Sequence, residues 1–218
     1  MTKKCLLITG GESVSKKCLT ELVNDHQFII GVDRGADTAF KYGIHLDLVI
    51  GDLDSISSKS RNFFKDKLHT FPAEKDFTDT DLAIEEAIKR GFEIITITGL
   101  YGNRIDHMLA NLMLAFKYSK AKIAFVGERF LSYPCPSAHE IVNQKGKLFS
   151  IIPISHCVKG VTLQGFKYPL KEKDLYRGES IGISNIILED HAYVTYYEGD
   201  ALVFIYEDRE DSYANNIS

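Results

Sequence analysis

The stretch Leu46-Asp-Leu-Val-Ile-Gly-Asp-Leu-Asp-Ser55 decides the fold of the first half of the chain. Its apolar part, Leu46–Ile50, is short, rich in branched side chains and ended by Gly51, which is typical of a buried strand in a parallel sheet. Asp52 and Asp54 follow directly. Ligands of open α/β sheets bind beyond the carboxyl ends of the strands, so the pair indicates a site for a hard cation such as Mg²⁺ beside phosphates. The alternative is an ordinary capped turn before the next helix.

Strand-like and helix-like segments alternate around this stretch. We predict strands at residues 5–9, 28–32, 46–50, 69–71, 94–98 and 122–126, with helices near 15–26, 59–64, 78–90 and 105–117 and a short helix ending at Gly43. Such alternation predicts a mostly parallel sheet with helices on both faces. The helix at 105–117 has the clearest periodicity, and its predicted apolar face consists of Ile105, Met108, Leu109, Leu112, Met113 and Phe116.

The second half has a different pattern, without helical periodicity. Glycines separate apolar runs at residues 140–144, 148–152, 158–163, 181–183, 192–197 and 202–206. These runs predict a small antiparallel sandwich or barrel. We therefore expect an α/β domain over residues 1–130, an all-β domain over 138–208 and a polar tail over 209–218.

Composition narrows the possible functions. The 218 residues include 26 basic and 30 acidic side chains, a net charge of -4, which argues against a broad nucleic-acid surface. No apolar run is long enough to span a bilayer, so we expect no membrane partner. The four cysteines have neither zinc-site nor redox spacing, and we interpret them as reduced core thiols of a cytoplasmic protein.

A second group of candidate residues extends from the end of the strand at 94–98 into the helix after it. Arg104 opens that helix, where a cation opposes the helix dipole unless an anion is bound there. Gly99 and Gly102 allow the backbone to approach a phosphate closely. Arg104, His107 and Asn111 stand at i, i+3 and i+7, on one stripe of the helix. With no Walker loop and no Gly-x-Gly-x-x-Gly turn, the pattern indicates magnesium-dependent chemistry on a nucleotide without a P-loop.

Four ordered motifs of the first half resemble the thiamine pyrophosphokinase family. They are Asp33-Arg-Gly-Ala36, Gly51-Asp-Leu-Asp-Ser55, Lys75-Asp-Phe-Thr-Asp79 and Gly99-x-x-Gly-Asn-Arg-Ile-Asp-His107. In the second half, Gly165-Phe-Lys-Tyr-Pro-Leu170 and Gly182-Ile-Ser-Asn185 resemble the thiamine-binding domain of the same family. The resemblance implies a Rossmann-like nucleotide-binding domain, a β-sandwich, a homodimer with thiamine at the subunit interface, and Mg²⁺. It also implies an enzyme that transfers the terminal pyrophosphate of ATP to the hydroxyl of thiamine and releases AMP.

The resemblance also implies roles for individual residues. Asp52, Asp54 and Asp79 hold magnesium, and Arg104 and Lys75 neutralise phosphate oxygens beside the turn from Gly99 to Gly102. The nucleotide and metal pocket further includes Asp33, Asp76, Thr78, Asp106, His107 and Asn111, while Ser184 and Asn185 bind the pyrimidine with Tyr168 nearby. Two alternatives remain at this point: a glycosyltransferase that binds a metal and a nucleotide sugar through Asp-x-Asp, and a thiamine or nucleotide sensor without turnover.

Overall fold

The computed structural model describes residues 2–52, 54–70, 76–100, 102 and 104–207, and the chain divides into two compact units, Met1–Glu128 and Arg129–Ser218. In the described residues of the first unit, the strands are β1 (Lys4–Ile8), β2 (Phe28–Val32), β3 (Leu48–Gly51), β4 (Leu68–Thr70), β5 (Ile94–Thr98) and β6 (Lys122–Gly127). The helices are α1 (Lys16–Asp25), α2 (Gly35–Tyr42), α3 (Ser58–Phe63), α4 (Asp79–Lys89) and α5 (Ile105–Lys117), with a 3-10 turn at Lys65–Lys67. Within the described ranges, no helix has the length and apolar character needed to cross a membrane.

The strands of the first unit form one parallel sheet in the order β6-β5-β1-β2-β3-β4. The predicted α/β architecture is therefore confirmed. After β1 the chain builds the sheet outward through β2, β3 and β4, and then crosses back to place β5 on the other side of β1. The strand order thus reverses between β1 and β5, and such switch points leave a crevice at the carboxyl ends of the strands.

Helices cover both faces of this sheet because its strands present apolar side chains on both faces. Leu6 and Ile8 of β1 pack in one core cluster with Leu19 of α1, Ala39 of α2 and Phe64 after α3. The opposite face is covered by α4, which contacts β1, β2 and β3, and by α5, which contacts β6. Both faces of the sheet are therefore buried, as the apolar strands predict.

A polar contact between α2 and α3 fixes the segment that follows β3. The Asp37 carboxylate of α2 accepts hydrogen bonds from the Ser57 amide at 3.2 Å, the Ser57 hydroxyl at 2.5 Å and the Ser60 hydroxyl at 2.5 Å. Partial burial alone would raise the pKa of Asp37, but the bonds from the two serines outweigh it and keep this pKa below its usual range. Asp37 is thus a structural anion that anchors the start of α3.

The second unit contains two antiparallel sheets, and the predicted all-β architecture is confirmed. The strands are β7 (Phe130–Pro134), β8 (Ala138–Val142), β9 (Leu148–Pro153), β10 (Cys157–Gln164), β11 (Leu170–Tyr176), β12 (Asn185–Ile186), β13 (His191–Thr195) and β14 (Ala201–Tyr206). They pair in the orders β12-β9-β14-β7 and β11-β10-β13-β8. Side chains of both sheets, such as Phe149 of β9 and Val161 of β10, share one buried cluster.

Three predictions about elements need correction. Residues 181–183 do not form a strand, because Gly182 has φ +94° and Ser184 has φ +59°, and the short strand comes later, at Asn185–Ile186. Strands β7 and β11 were not predicted. The predicted apolar face of α5 is only half buried, since Ile105, Leu109 and Met113 are exposed by 64%, 53% and 39%.

Within the described chain, no disulfide joins the four cysteines. Cys5 and Cys135 are buried, and burial raises the pKa of each thiol to about 12. Such thiols stay protonated and unreactive at neutral pH, which agrees with their interpretation as core residues.

Candidate functional site

A crevice of about 600 Å³ lies at the carboxyl ends of β1, β2 and β5. It opens where the strand order reverses, between β1 and β5, which is the expected place for a ligand in this architecture. Six of the residues predicted from the sequence line it: Asp33, Gly99, Gly102, Arg104, His107 and Asn111.

The floor of the crevice is formed by the loops after β1 and β5, which are bonded to each other. The Thr9 hydroxyl donates to the carbonyls of Thr98 at 3.0 Å and Gly99 at 2.6 Å, and the Gly11 amide donates to the Gly99 carbonyl at 2.8 Å. Gly99 has φ +79°, and a Cβ there would lie 2.5 Å from the Thr9 carbonyl oxygen. Only glycine therefore allows the two loops to meet this closely.

Asp33 lies between the ends of β2 and β3. Its backbone has φ +47°, which is rare for a residue other than glycine, and its amide donates to the Ile50 carbonyl at 2.9 Å. A Cβ on Gly51 would lie 1.8 Å from Asp33 Oδ1, so the glycine leaves room for this carboxylate above β3. The unusual backbone thus holds an acidic group at the edge of the crevice.

Two helices of the first unit begin at the crevice with an arginine instead of a capping side chain. Ser15, Ser57 and Thr78 accept hydrogen bonds that cap α1, α3 and α4, whereas Arg34 before α2 and Arg104 before α5 make no such bond. Both arginines line the crevice. An arginine at a helix start opposes the dipole, so each start is better suited to bind an anion than to stand alone.

Arg104 is held by Asp106. Arg104 Nε lies 3.0 Å from Asp106 Oδ1, and Arg104 Nη2 lies 2.7 Å from Asp106 Oδ2, in a two-pronged contact. This bond from Arg104 keeps the pKa of the Asp106 carboxyl far below its usual range and raises the pKa of the guanidinium. Both side chains are exposed, so an anionic ligand can reach the same guanidinium edge.

The predicted metal residues stand beside the crevice. Asp52 is half buried directly after β3, and its Oδ1 accepts the Asp54 amide at 3.0 Å, while Asp54 itself is exposed. Asp79, half buried, is the first residue of α4. The residues that follow Asp54 and Asp79, Ser55 and Thr80, line the crevice. Among the described residues, no three acidic, histidine or cysteine side chains are gathered into a metal-binding group.

The other predicted residues of the first unit occupy different positions. Asp76 and Thr78 are exposed before α4, and Thr78 caps that helix by accepting the Asp81 amide at 3.2 Å. Lys75 lies outside the described residues. Sequence reasoning also missed part of the crevice wall: Thr9, Gly10, Gly11, Glu12 and Arg34. The glycine pair after β1 and the position of Arg34 beside Asp33 at a strand end were the available signals.

In the second unit, the three predicted residues belong to two neighbouring segments. Tyr168 is 57% exposed, and Ser184 is exposed with its backbone in the left-handed region. Asn185 is 2% exposed, and its carboxamide bonds the backbone of Tyr168. Tyr168 and Ser184 are therefore accessible to a ligand, whereas the polar atoms of Asn185 are already engaged.

Two family models match this chain. "Thiamin pyrophosphokinase, catalytic domain" matches residues 19–126, and "Thiamin pyrophosphokinase, vitamin B1 binding domain" matches residues 138–199. The thiamine pyrophosphokinase of Bacillus subtilis (strain 168) is 33% identical over 201 residues, which cover 88% of this chain and 94% of that relative.

Solved structures agree with these matches. The crystal structure of the Bacillus subtilis thiamine pyrophosphokinase has a TM-score of 0.85 at 31% identity, covering 94% of this chain and 100% of the other. The thiamin pyrophosphokinase from Candida albicans, at 16% identity, has a TM-score of 0.80 over 95% of this chain and 90% of its own, and this likeness concerns the fold alone.

Proposed function

This chain belongs to the thiamin pyrophosphokinase family, an enzyme family that transfers the pyrophosphoryl group of ATP to thiamine, and we propose how its own residues divide that reaction. The glycosyltransferase and the non-catalytic sensor are set aside, because the matched relative and both family models carry the name of the kinase. The crevice of the first unit binds ATP. The observation that carries this assignment is that two helices begin at this crevice with an arginine in place of a capping side chain.

The triphosphate lies between these two helix starts. Arg104 and Arg34 supply the positive charges, and the glycine backbone at Gly99 and Gly102 allows the phosphates to come close. The two prongs that now bond Asp106 match the paired oxygens of a phosphate. Asp106 thus keeps the guanidinium oriented until ATP binds. His107 and Asn111 also line the crevice, and Lys75 remains a predicted further cation for the phosphates.

The donor set after β3 fits magnesium. Mg²⁺ prefers oxygen ligands and is usually bound by one or two carboxylates together with substrate phosphates, which suits Asp52 and Asp54 at the side of a phosphate crevice. Asp79 is the third proposed ligand, and Asp33 lies near them at the strand ends. When bound, the ion neutralises charge that develops on the phosphate oxygens.

The transfer itself requires positioning more than a strong base. The thiamine hydroxyl oxygen forms a bond to the β-phosphorus of ATP, the bond from that phosphorus to the bridging oxygen of the α-phosphate breaks, and AMP leaves. Arg34 and Arg104 hold the phosphates in line for this attack. The hydroxyl proton passes to a neighbouring carboxylate or to water.

Thiamine is bound by the second unit, on the surface that Tyr168 and Ser184 present. The exposed Tyr168 ring offers an aromatic face to the cationic, aromatic substrate, and the Ser184 hydroxyl offers a hydrogen bond to the pyrimidine.

The family resemblance further supports a homodimer with thiamine at the subunit interface. The cytoplasmic location expected from the cysteines also stays a prediction.

The test is a reaction of ATP, thiamine and Mg²⁺ with chromatographic separation of the products. We expect AMP and thiamine pyrophosphate in equal amounts, whereas ADP formed in step with thiamine consumption would refute β-phosphorus attack.

Asp52→Asn keeps the size of the side chain but removes a charged ligand, so turnover should fall at least about a hundredfold while the fold survives. Glu85→Gln, an exposed change on α4, is the matched control.

A further inference from the structure

Asn185 is a buried polar side chain beside the proposed thiamine site, and it bonds three backbone groups. It is 2% exposed. Its Oδ1 accepts the Tyr168 amide at 2.9 Å and the Ile186 amide at 2.9 Å, and its Nδ2 donates to the Tyr168 carbonyl at 2.7 Å. Because two amides donate to the same atom and a carbonyl faces the other, only one orientation of the carboxamide satisfies the contacts.

The carboxamide acts as a peptide group toward Tyr168, engaging both its N–H and its C=O. The neighbouring residues continue this pairing, since the Lys167 amide donates to the Ile186 carbonyl at 2.9 Å and Phe166 forms a bridge with Ile187. At Tyr168, the Asn185 side chain therefore supplies the hydrogen bonds that the backbone of a neighbouring strand would supply in a β-sheet. The consequence is a fixed backbone for Tyr168, whose ring is exposed.

The residue before Asn185 is held as firmly. Ser184 has φ +59°, and its amide donates at 3.1 Å to the hydroxyl of Ser150, which is 6% exposed on β9. A left-handed backbone at a serine costs free energy and persists only where neighbouring contacts impose it. Buried bonds from Asn185 and Ser150 thus hold two exposed residues, Tyr168 and Ser184, in a set arrangement.

We propose that Asn185 is a positioning residue for thiamine, which acts through Tyr168 and Ser184 and does not touch the substrate. This inference rests on the proposed function, because it presumes that Tyr168 and Ser184 bind thiamine. It replaces the predicted direct contact of Asn185 with the pyrimidine, since a carboxamide that is 2% exposed and already bonds three backbone groups lies out of a ligand's reach in this arrangement.

Asn185→Asp is the sharpest test because it keeps the shape and reverses one polar contact. At about pH 8 the introduced carboxylate presents an oxygen to the Tyr168 carbonyl, and we expect the KM for thiamine to rise about tenfold, with kcat and the KM for ATP near the wild-type values. Burial favours the neutral acid, which can donate to that carbonyl again. The KM for thiamine should therefore approach the wild-type value toward about pH 5.5.

Asn143→Asp controls for the added charge, because Asn143 is exposed in the same unit. It should follow the wild type at every pH. A thiamine KM of Asn185→Asp that equals that of Asn143→Asp at about pH 8 would overturn the proposal. So would a loss that falls on kcat and on both KM values alike without recovery in acid, because that pattern indicates only general structural damage.

Ser184→Ala separates this inference from the proposed function on which it rests. If Ser184→Ala raises the KM for thiamine and Asn185→Asp does not, the positioning role is wrong while the site stands; if neither does, the site itself is wrong. Should Asn185→Asp yield no folded protein, Asn185→Ser, which removes the carboxamide without adding a charge, takes its place. We then expect a thiamine-specific rise in KM that Asn143→Ser does not cause, and no such rise in Asn185→Ser would refute the proposal.

Discussion

Gly99→Ala tests whether the crevice depends on the close approach of two loops. Gly99 has φ +79°, and an added Cβ would lie 2.5 Å from the Thr9 carbonyl oxygen and 3.3 Å from the Thr9 hydroxyl. Gly91 is a matched control, because it has φ +81° with no atom within 4 Å of an added Cβ. The two substitutions carry the same backbone penalty, and only Gly99→Ala adds the clash.

The expected magnitudes follow from this difference. A left-handed alanine costs about 1 kcal/mol, which is the whole effect expected for Gly91→Ala. At Gly99 the contact partner is backbone, which cannot rotate away, so overpacking adds about 2 kcal/mol. For a chain of this size about 3 °C of Tm is lost per kcal/mol, so we expect a loss of about 3 °C for Gly91→Ala and about 10 °C for Gly99→Ala.

The same clash should reach the proposed nucleotide site. Moving the loop after β5 shifts Gly102 and Arg104 on the crevice wall, and displacements of this kind commonly cost tenfold or more in activity. We therefore expect the KM for ATP to rise about tenfold in Gly99→Ala and to stay unchanged in Gly91→Ala. Calorimetric melts and steady-state kinetics measure both effects. Equal Tm losses for the two variants, or an unchanged KM for ATP in Gly99→Ala, would refute the reasoning.

Three further predictions concern charge, pH and assembly. Arg34→Gln should raise the KM for ATP about tenfold and leave that for thiamine unchanged, whereas Lys41→Gln at the far end of α2 should change neither. Asp37→Asn should lower the free energy of unfolding by about 2 kcal/mol at neutral pH. Because the folded-state pKa of Asp37 is lowered, this difference is present above about pH 4 and disappears as the pH falls through the folded-state pKa, which urea titrations at several pH values measure. Finally, Asp52→Asn and Ser184→Arg should each be inactive, but co-refolded mixtures should regain activity if two chains build each site; mixed dimers as inactive as the parents would contradict that assembly.

The parallel half of the fold was predictable because its strands are buried on both faces and therefore appear in the sequence as short runs of apolar residues. The polar strand β11 lies at the edge of its sheet, where Lys171, Glu172 and Lys173 are exposed, so no alternation marks it. In α5, periodicity identified the apolar positions but not their partners. Ile105 and Leu109 stay exposed because burial depends on what packs against a face, which no local pattern contains.

The lining of the crevice was predictable where one segment supplies both the turn and the polar side chains, as with Gly99, Gly102, Arg104 and His107. It was not predictable where segments distant in sequence meet. Thr9 and Arg34 reach the crevice because β2 and β5 flank β1, and only the strand order establishes that neighbourhood. Arg34 illustrates the difficulty. Its position after a strand is ordinary, and a role in anion binding is suggested only because Arg104 lines the same crevice.

Asn185 shows why residue type alone does not decide whether a polar side chain is available to a ligand. Beside Ser184 in an apolar stretch, an asparagine has the chemistry of a ligand-binding residue, and the sequence supports that interpretation as well as any other. Whether its amide is available depends on Tyr168, 17 residues away, whose N–H and C=O both bond it. The buried carboxamide of Asn185 pairs with the N–H and C=O of Tyr168 and so stabilises one arrangement of the two segments. Exposing this carboxamide to bind substrate would leave those backbone groups unpaired. The strength of its internal contacts is therefore the reason to expect that thiamine binds the residues Asn185 holds, and not Asn185 itself.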